Sequence, residues 1–129
     1  SEMCIRDRIG IDFIHLSCWD CFKISNEYSK DKKTITEWFT HTISNLPTII
    51  STGGIWSSKD ATDVMMQGAD LIGVGRVAIP YPDWSLNLKD DNYNPPKMPF
   101  TSTQLTKAGL SDVFIAYMKN WKGFVEDEK

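Results

Sequence analysis

Four residues in the middle of the chain have the types and spacing to hold an anion. Gly53 and Gly54 close the apolar run in "IISTGGIWSS", residues 49–58, and Gly75 with Arg76 closes that of "LIGVGR", residues 71–76. Glycine lets backbone N–H groups approach an anion with no Cβ in the way. Arginine adds a permanently charged fork matched to phosphate oxygens. A helix opening near Ser58 contributes the positive end of its dipole. Each glycine alone marks no more than a tight turn. Their recurrence at the ends of two successive apolar runs, with an arginine directly after the second, describes a phosphate cradle.

The other chemistry-bearing residues say less. Cys18 and Cys21 in "CWDC" have the spacing of a redox dithiol or half a zinc site. Structural zinc takes about four ligands, the chain has no second such pair, and neither His15 nor His41 stands at ligand spacing. The motif also follows a strand pattern into a polar loop instead of opening a helix. Two ordinary reduced cysteines are expected, with Cys4 apart from them.

These residues need a scaffold. "GIDFIHLS", residues 10–17, reads as a strand with Ile11, Phe13 and His15 on one face and Ile14 and Leu16 on the other. A polar loop follows, then a helix over 35–45. Thr34 and Glu37 form its capping box, Ile35, Trp38, Phe39, Ile43 and Leu46 its stripe, and Pro47 its end. "PTIIST" is a second strand. Ser57 with Asp60 caps a helix to about Gln67, striped by Ala61, Val64 and Met65 and closed by Gly68. "ADLIGVG" is a third strand. Residues 77–99 read as an irregular, Pro- and Asn-rich connector. The last helix is expected over 111–125, capped by Ser111, with Phe114, Met118, Trp121 and Val125 packed as core.

A right-handed β-α-β crossover sets the second and third strands parallel, with both glycine ends on the carboxyl edge where α/β proteins bind ligands. Apolar residues on both faces of each strand predict cover on both faces. A three-stranded sheet of that kind looks like a piece of a larger fold.

Composition narrows the function classes. The 129 residues are 41% hydrophobic, 12% aromatic and 24% charged, and the net charge is −3 from 14 basic and 17 acidic side chains. That suits a globular core. No basic stripe supports nucleic-acid binding, and no apolar run approaches a membrane span. Residues 1–8 lack the apolar segment of a secretory signal. A cytoplasmic protein without nucleic-acid or membrane partners is the expectation.

The segment "PTIISTGGIWSSKDATDVMMQGADLIGVGRVAIPYPDW" resembles the seventh and eighth β/α units of the Old Yellow Enzyme family, the NADH:flavin oxidoreductases. Its most specific part is "GADLIGVGR" followed by "YPDW". "IDFIHLS" resembles that family's sixth strand, and "PFTSTQLTKAGLSDVFIAYMKNWKGFV" is similar to the C-terminal segment of bacterial members. The resemblance runs over residues 10–125. It implies the C-terminal portion of an FMN-containing TIM (β/α)8 barrel that passes hydride from NADH or NADPH to a small electron-poor acceptor such as an alkene. Gly53 and Gly54 would then offer backbone contacts to the FMN phosphate, with Gly75 and Arg76 completing the cradle. Trp19 and its loop would lie near the substrate entrance.

A full barrel takes about 250 residues, and the first five β/α units have no counterpart here. With them go the family's flavin-ring contacts, its substrate-anchoring histidine pair (or histidine-asparagine) and its tyrosine proton donor. His15, His41, Tyr28 and Tyr117 match none of those positions, so no catalytic residue is assigned. "SEMCIRDR" fits neither the family nor the strand after it. Residues 1–8 are therefore expected to be a non-native leader, and 9–129 part of a barrel domain that is inactive alone and whose full-length parent has room to be an oligomer. Two other readings stand beside this one. One is a phosphate-ligand barrel without flavin, which "YPDW" and the long tail argue against. The other is a non-catalytic three-stranded module gripping a phosphate, which exposed parallel edges argue against.

Overall fold

Two crossovers, each carrying a helix, let three short strands lie side by side in one direction. The computed structural model describes residues 10–27 and 29–126. In it β1 is Phe13–Ser17, α1 Ile35–Thr42, β2 Thr48–Thr52, α2 Ser58–Met66 and β3 Leu71–Gly73. The sheet order is β1-β2-β3 and both pairings are parallel. This is an α/β fold with three parallel strands and flanking helices. The expected leader with Cys4, and Tyr28, lie outside the described residues.

Two compact units emerge. The first comprises residues up to 55 together with 59–74, and the second comprises 56–58 and the residues from 75 on. The sheet belongs to the first. Register sets Ser17 beside Thr52 and Thr52 beside Gly73, so the strands end level at the carboxyl edge.

The covered face of the sheet carries Leu16, Ile49 and Ser51, all buried. The Thr34 capping box opens α1 as expected, Thr34 accepting from the Glu37 N–H at 3.2 Å while its own N–H donates to the Glu37 carboxylate at 2.7 Å. The helix stops at Thr42, earlier than expected, and its fully buried residue is not from the apolar stripe. It is Thr36, whose hydroxyl shares a 2.8 Å hydrogen bond with the buried Ser51 hydroxyl. In α2, Ala61 and Val64 are buried as expected, whereas Met65 is 45% exposed.

The opposite face departs from the expectation of cover on both sides. Phe13 is 56% and Leu71 54% exposed, and His15 beside them is exposed too. Apolar residues stand on that face as the pattern required, but no described element lies over them.

The second unit is built around aromatic rings. Trp56 stacks on Phe100 with centroids 6.4 Å apart, and Phe100 meets Phe124 edge-on at 5.4 Å. The Trp84 indole N–H donates to the Trp56 carbonyl and the Trp56 indole to the Pro95 carbonyl. The expected irregular connector contains a one-turn helix, α3, over Trp84–Asn87. A further helix, α4 over Ser102–Lys107, is absent from the sequence reading, although Thr101 and Gln104 form its capping box.

The last helix is shorter than expected. Ser111 caps it, but α5 is Asp112–Met118 and the chain then turns, so that Val125 bridges Phe100 in parallel. The residues that α5 buries are Ile115 and Met118. Phe114 and Trp121, expected in the core, are 41% and 53% exposed.

Candidate site at the carboxyl edge

Gly53 and Gly54 directly follow β2, and the segment after β1 is fastened onto them. The Cys18 N–H donates to the Thr52 carbonyl at 2.9 Å. The Cys21 N–H and the Cys21 thiol both donate to the Gly53 carbonyl, at 3.1 and 2.8 Å. Between them Asp20 accepts from the Phe22 N–H at 2.9 Å, closing the turn.

This clamp explains the glycines. Gly53 has φ +142°, and a Cβ there would lie 2.4 Å from the Cys18 carbonyl oxygen. Gly54 has φ +72°, and its Cβ would come within 3.7 Å of the Asp20 carboxylate. The side on which a side chain would project is thus filled by a loop oxygen at Gly53, while at Gly54 it is the positive φ that favours glycine. An anion meeting these residues would have to do so through their N–H groups.

Gly75 and Arg76 open the second unit, on a one-turn 3₁₀ helix over Arg76–Ala78. Both are exposed. A Cβ added to Gly75 would meet nothing within 4 Å. That open space, followed by a guanidinium, is what close backbone approach to a phosphate requires. Gly75 and Arg76 thus present open backbone beside a cation, whereas Gly53 and Gly54 offer an anion only their N–H groups.

The cysteines act as fasteners. Both are free of disulfide bonds. Burial, with the charge of Asp20 adding to it, raises the Cys21 thiol pKa to about 11, and the same two causes raise that of Cys18. A protonated thiol is the form that can donate to Gly53. The clamp should therefore depend on pH. A thiol with a raised folded pKa stabilises fully below its unfolded value and loses that contribution as pH rises through the folded value. The window here runs from 9.0 to about 11. The urea midpoint of the chain is expected to fall across it more steeply than that of Cys21→Ala. Parallel curves would show that the thiol proton contributes nothing.

His15 shares a 2.7 Å hydrogen bond with the Thr52 hydroxyl across the sheet, and His41 is exposed on α1. Tyr117 lies exposed on α5, stacked on Phe114. In the second unit a cleft of about 380 Å³ is lined by Pro80, Tyr81, Pro82, Asp83, Phe100 and Lys107 among others. Its Tyr81 hydroxyl is engaged with the Pro96 carbonyl at 2.9 Å. No helix among the described residues is long and apolar enough to cross a membrane.

A parallel α/β sheet with glycine turns at its carboxyl edge defines a class whose ligands gather at that edge. Known proteins carry the comparison further. No family model matches the chain. Over 83 residues, 61% of the chain, it is 30% identical to NADH:fumarate oxidoreductase of Klebsiella pneumoniae (strain 342), covering 9% of that protein. Over 115 residues, 89% of the chain, it is 23% identical to the probable NADH-dependent flavin oxidoreductase YqiG of Bacillus subtilis (strain 168), covering 31% of it. The chain thus spans under a third of either relative's length. Both likenesses support the NADH:flavin oxidoreductases as its relatives.

Proposed function

We propose that the chain is the C-terminal portion of a flavin-dependent NAD(P)H oxidoreductase with a (β/α)8 barrel, and that it holds the FMN phosphate. In this reading Gly75 presents its backbone to the phosphate and Arg76 supplies the charge. The observation that carries it is the open space at Gly75 directly before an exposed arginine. The uncovered apolar face of the sheet supports the barrel, because a barrel packs the inward face of its strands with layers of side chains. The missing β/α units would cover Phe13 and Leu71 and bring the groups that touch the flavin ring and the acceptor. Bound flavin would supply the hydride chemistry, and this chain's part is to hold its phosphate tail. The partner is a small electron-poor acceptor.

Titration of the chain with FMN and with riboflavin, which lacks the phosphate, tests the assignment. FMN is expected to bind at least ten times more tightly. A charge-assisted hydrogen bond contributes about 1.5–3 kcal/mol, so Arg76→Ala should remove most of the preference while leaving riboflavin binding unchanged. Equal affinity of the wild-type chain for the two flavins would overturn the reading.

A further inference from the structure

The cleft in the second unit has an apolar floor and a charged rim that the flavin reading does not use. Pro80 and the ring of Phe100, both buried, form the floor. Tyr81 lines it too, held by its hydroxyl on the Pro96 carbonyl and by its edge against Phe100, with centroids 6.0 Å apart. Gln104 and Lys107 line it from α4, three residues apart and so on one helix face. A volume of about 380 Å³ falls at the small end of the ~300–1,000 Å³ typical of ligand clefts, which suits a single ring with its substituents.

Two opposite charges line this space without meeting. Asp83 stands at the N-cap of α3, yet its carboxylate makes no capping hydrogen bond. Among the described residues neither Asp83 nor Lys107 joins an ion pair, and both are exposed. The Gln104 side-chain oxygen accepts from the Thr101 N–H at 2.9 Å, which leaves its amide N–H donors available to a ligand. We infer that this cleft binds a small zwitterion with a planar ring, in chemical class an aromatic amino acid. The ring lies on Pro80 and meets Tyr81 and Phe100, since aromatic rings pair in offset or edge-on contact. The ligand carboxylate accepts from the Lys107 ammonium and the Gln104 amide, and its ammonium donates to Asp83. A ligand with a carboxylate alone is repelled by Asp83, and one with an amine alone by Lys107. The lining includes neither Gly75 nor Arg76, so this inference stands or falls separately from the FMN assignment.

Titration of the full chain with L-phenylalanine, read by amide chemical-shift mapping, tests it. L-alanine lacks the ring, 3-phenylpropionate the ammonium and phenethylamine the carboxylate. Phenylalanine should bind about tenfold more tightly than alanine, through the area its ring buries. It should bind about threefold more tightly than either single-charge analogue, because an exposed ion pair contributes modestly. The shifts should gather at residues 80–87 and 100–108. Lys107→Gln should weaken phenylalanine and phenylpropionate about threefold without weakening phenethylamine. Asp83→Asn should weaken phenylalanine and phenethylamine to a similar degree without weakening phenylpropionate. Both side chains are exposed, so each variant should keep the wild-type urea midpoint. The inference is overturned if phenylalanine leaves those residues unshifted, if alanine binds equally well, or if neither substitution changes phenylalanine affinity.

Discussion

Gly53→Ala is expected to destabilise the chain by about 4 kcal/mol, through left-handed strain of ~1–3 kcal/mol and overpacking of ~1–3 kcal/mol. The clash is with backbone: the new Cβ would lie 2.4 Å from the Cys18 oxygen, 2.9 Å from its carbonyl carbon and 3.1 Å from the Cys21 nitrogen. A flexible side chain could rotate away, but here the whole segment must lift, releasing the bonds from Cys18 and Cys21. Alkylation of Cys21 should therefore accelerate in the variant, alongside a lower urea midpoint. Gly75→Ala is the control, since that position is open and its φ is −125°. It should change stability by under about 0.5 kcal/mol, and its effect should fall on FMN affinity. Comparable destabilisation by the two substitutions would show that close approach of the Cys18–Cys21 segment is not what requires Gly53.

That contrast marks what could be read from the residues alone. The glycine pair was visible as a strand end, and so was the parallel order, because two apolar runs flank a capped helix. What the pair accommodates was not visible. The Cys18 carbonyl reaches it from far away along the chain, and nothing local to "STGG" announces that contact. The phosphate reading gave four residues one role, whereas Gly53 and Gly54 have a structural reason of their own and Gly75 does not. Local signals fared better where the physics is local. Thr34 with Glu37, and Ser111, cap their helices as their spacing implies. Thr101 with Gln104 carries the same signal, inside a polar tail. Thr36 could not be found by hydrophobic pattern, since its burial depends on a hydroxyl partner on β2. The sheet carries apolar residues on both faces, yet buries only the face of Leu16, Ile49 and Ser51. Pattern reports what a face is suited to meet, and here only one face is met.

Phe124→Ala should be the most costly truncation in the second unit, at about 3–5 kcal/mol. Helical periodicity continued past Met118 puts Trp121 and Val125 on the buried stripe and Phe124 off it. The chain instead leaves the helix, and Phe124 ends 2% exposed with its ring 5.4 Å from that of Phe100. Its carbonyl accepts from the Phe100 N–H at 2.9 Å, and the Glu126 N–H donates to the Phe100 carbonyl at 2.9 Å. Ring and backbone thus fasten the tail to the same residue, which itself stacks on Trp56. Losing the ring leaves a cavity lined by aromatics too large to collapse into it. Trp121→Ala and Phe114→Ala remove side chains of comparable size that are 53% and 41% exposed, and each should cost about 1–2 kcal/mol, because roughly half of the side chain already lies in water. Urea unfolding of the three variants decides between the packings. A tail that continued as a helix would invert the order, making Trp121 the costly residue and Phe124 the cheap one.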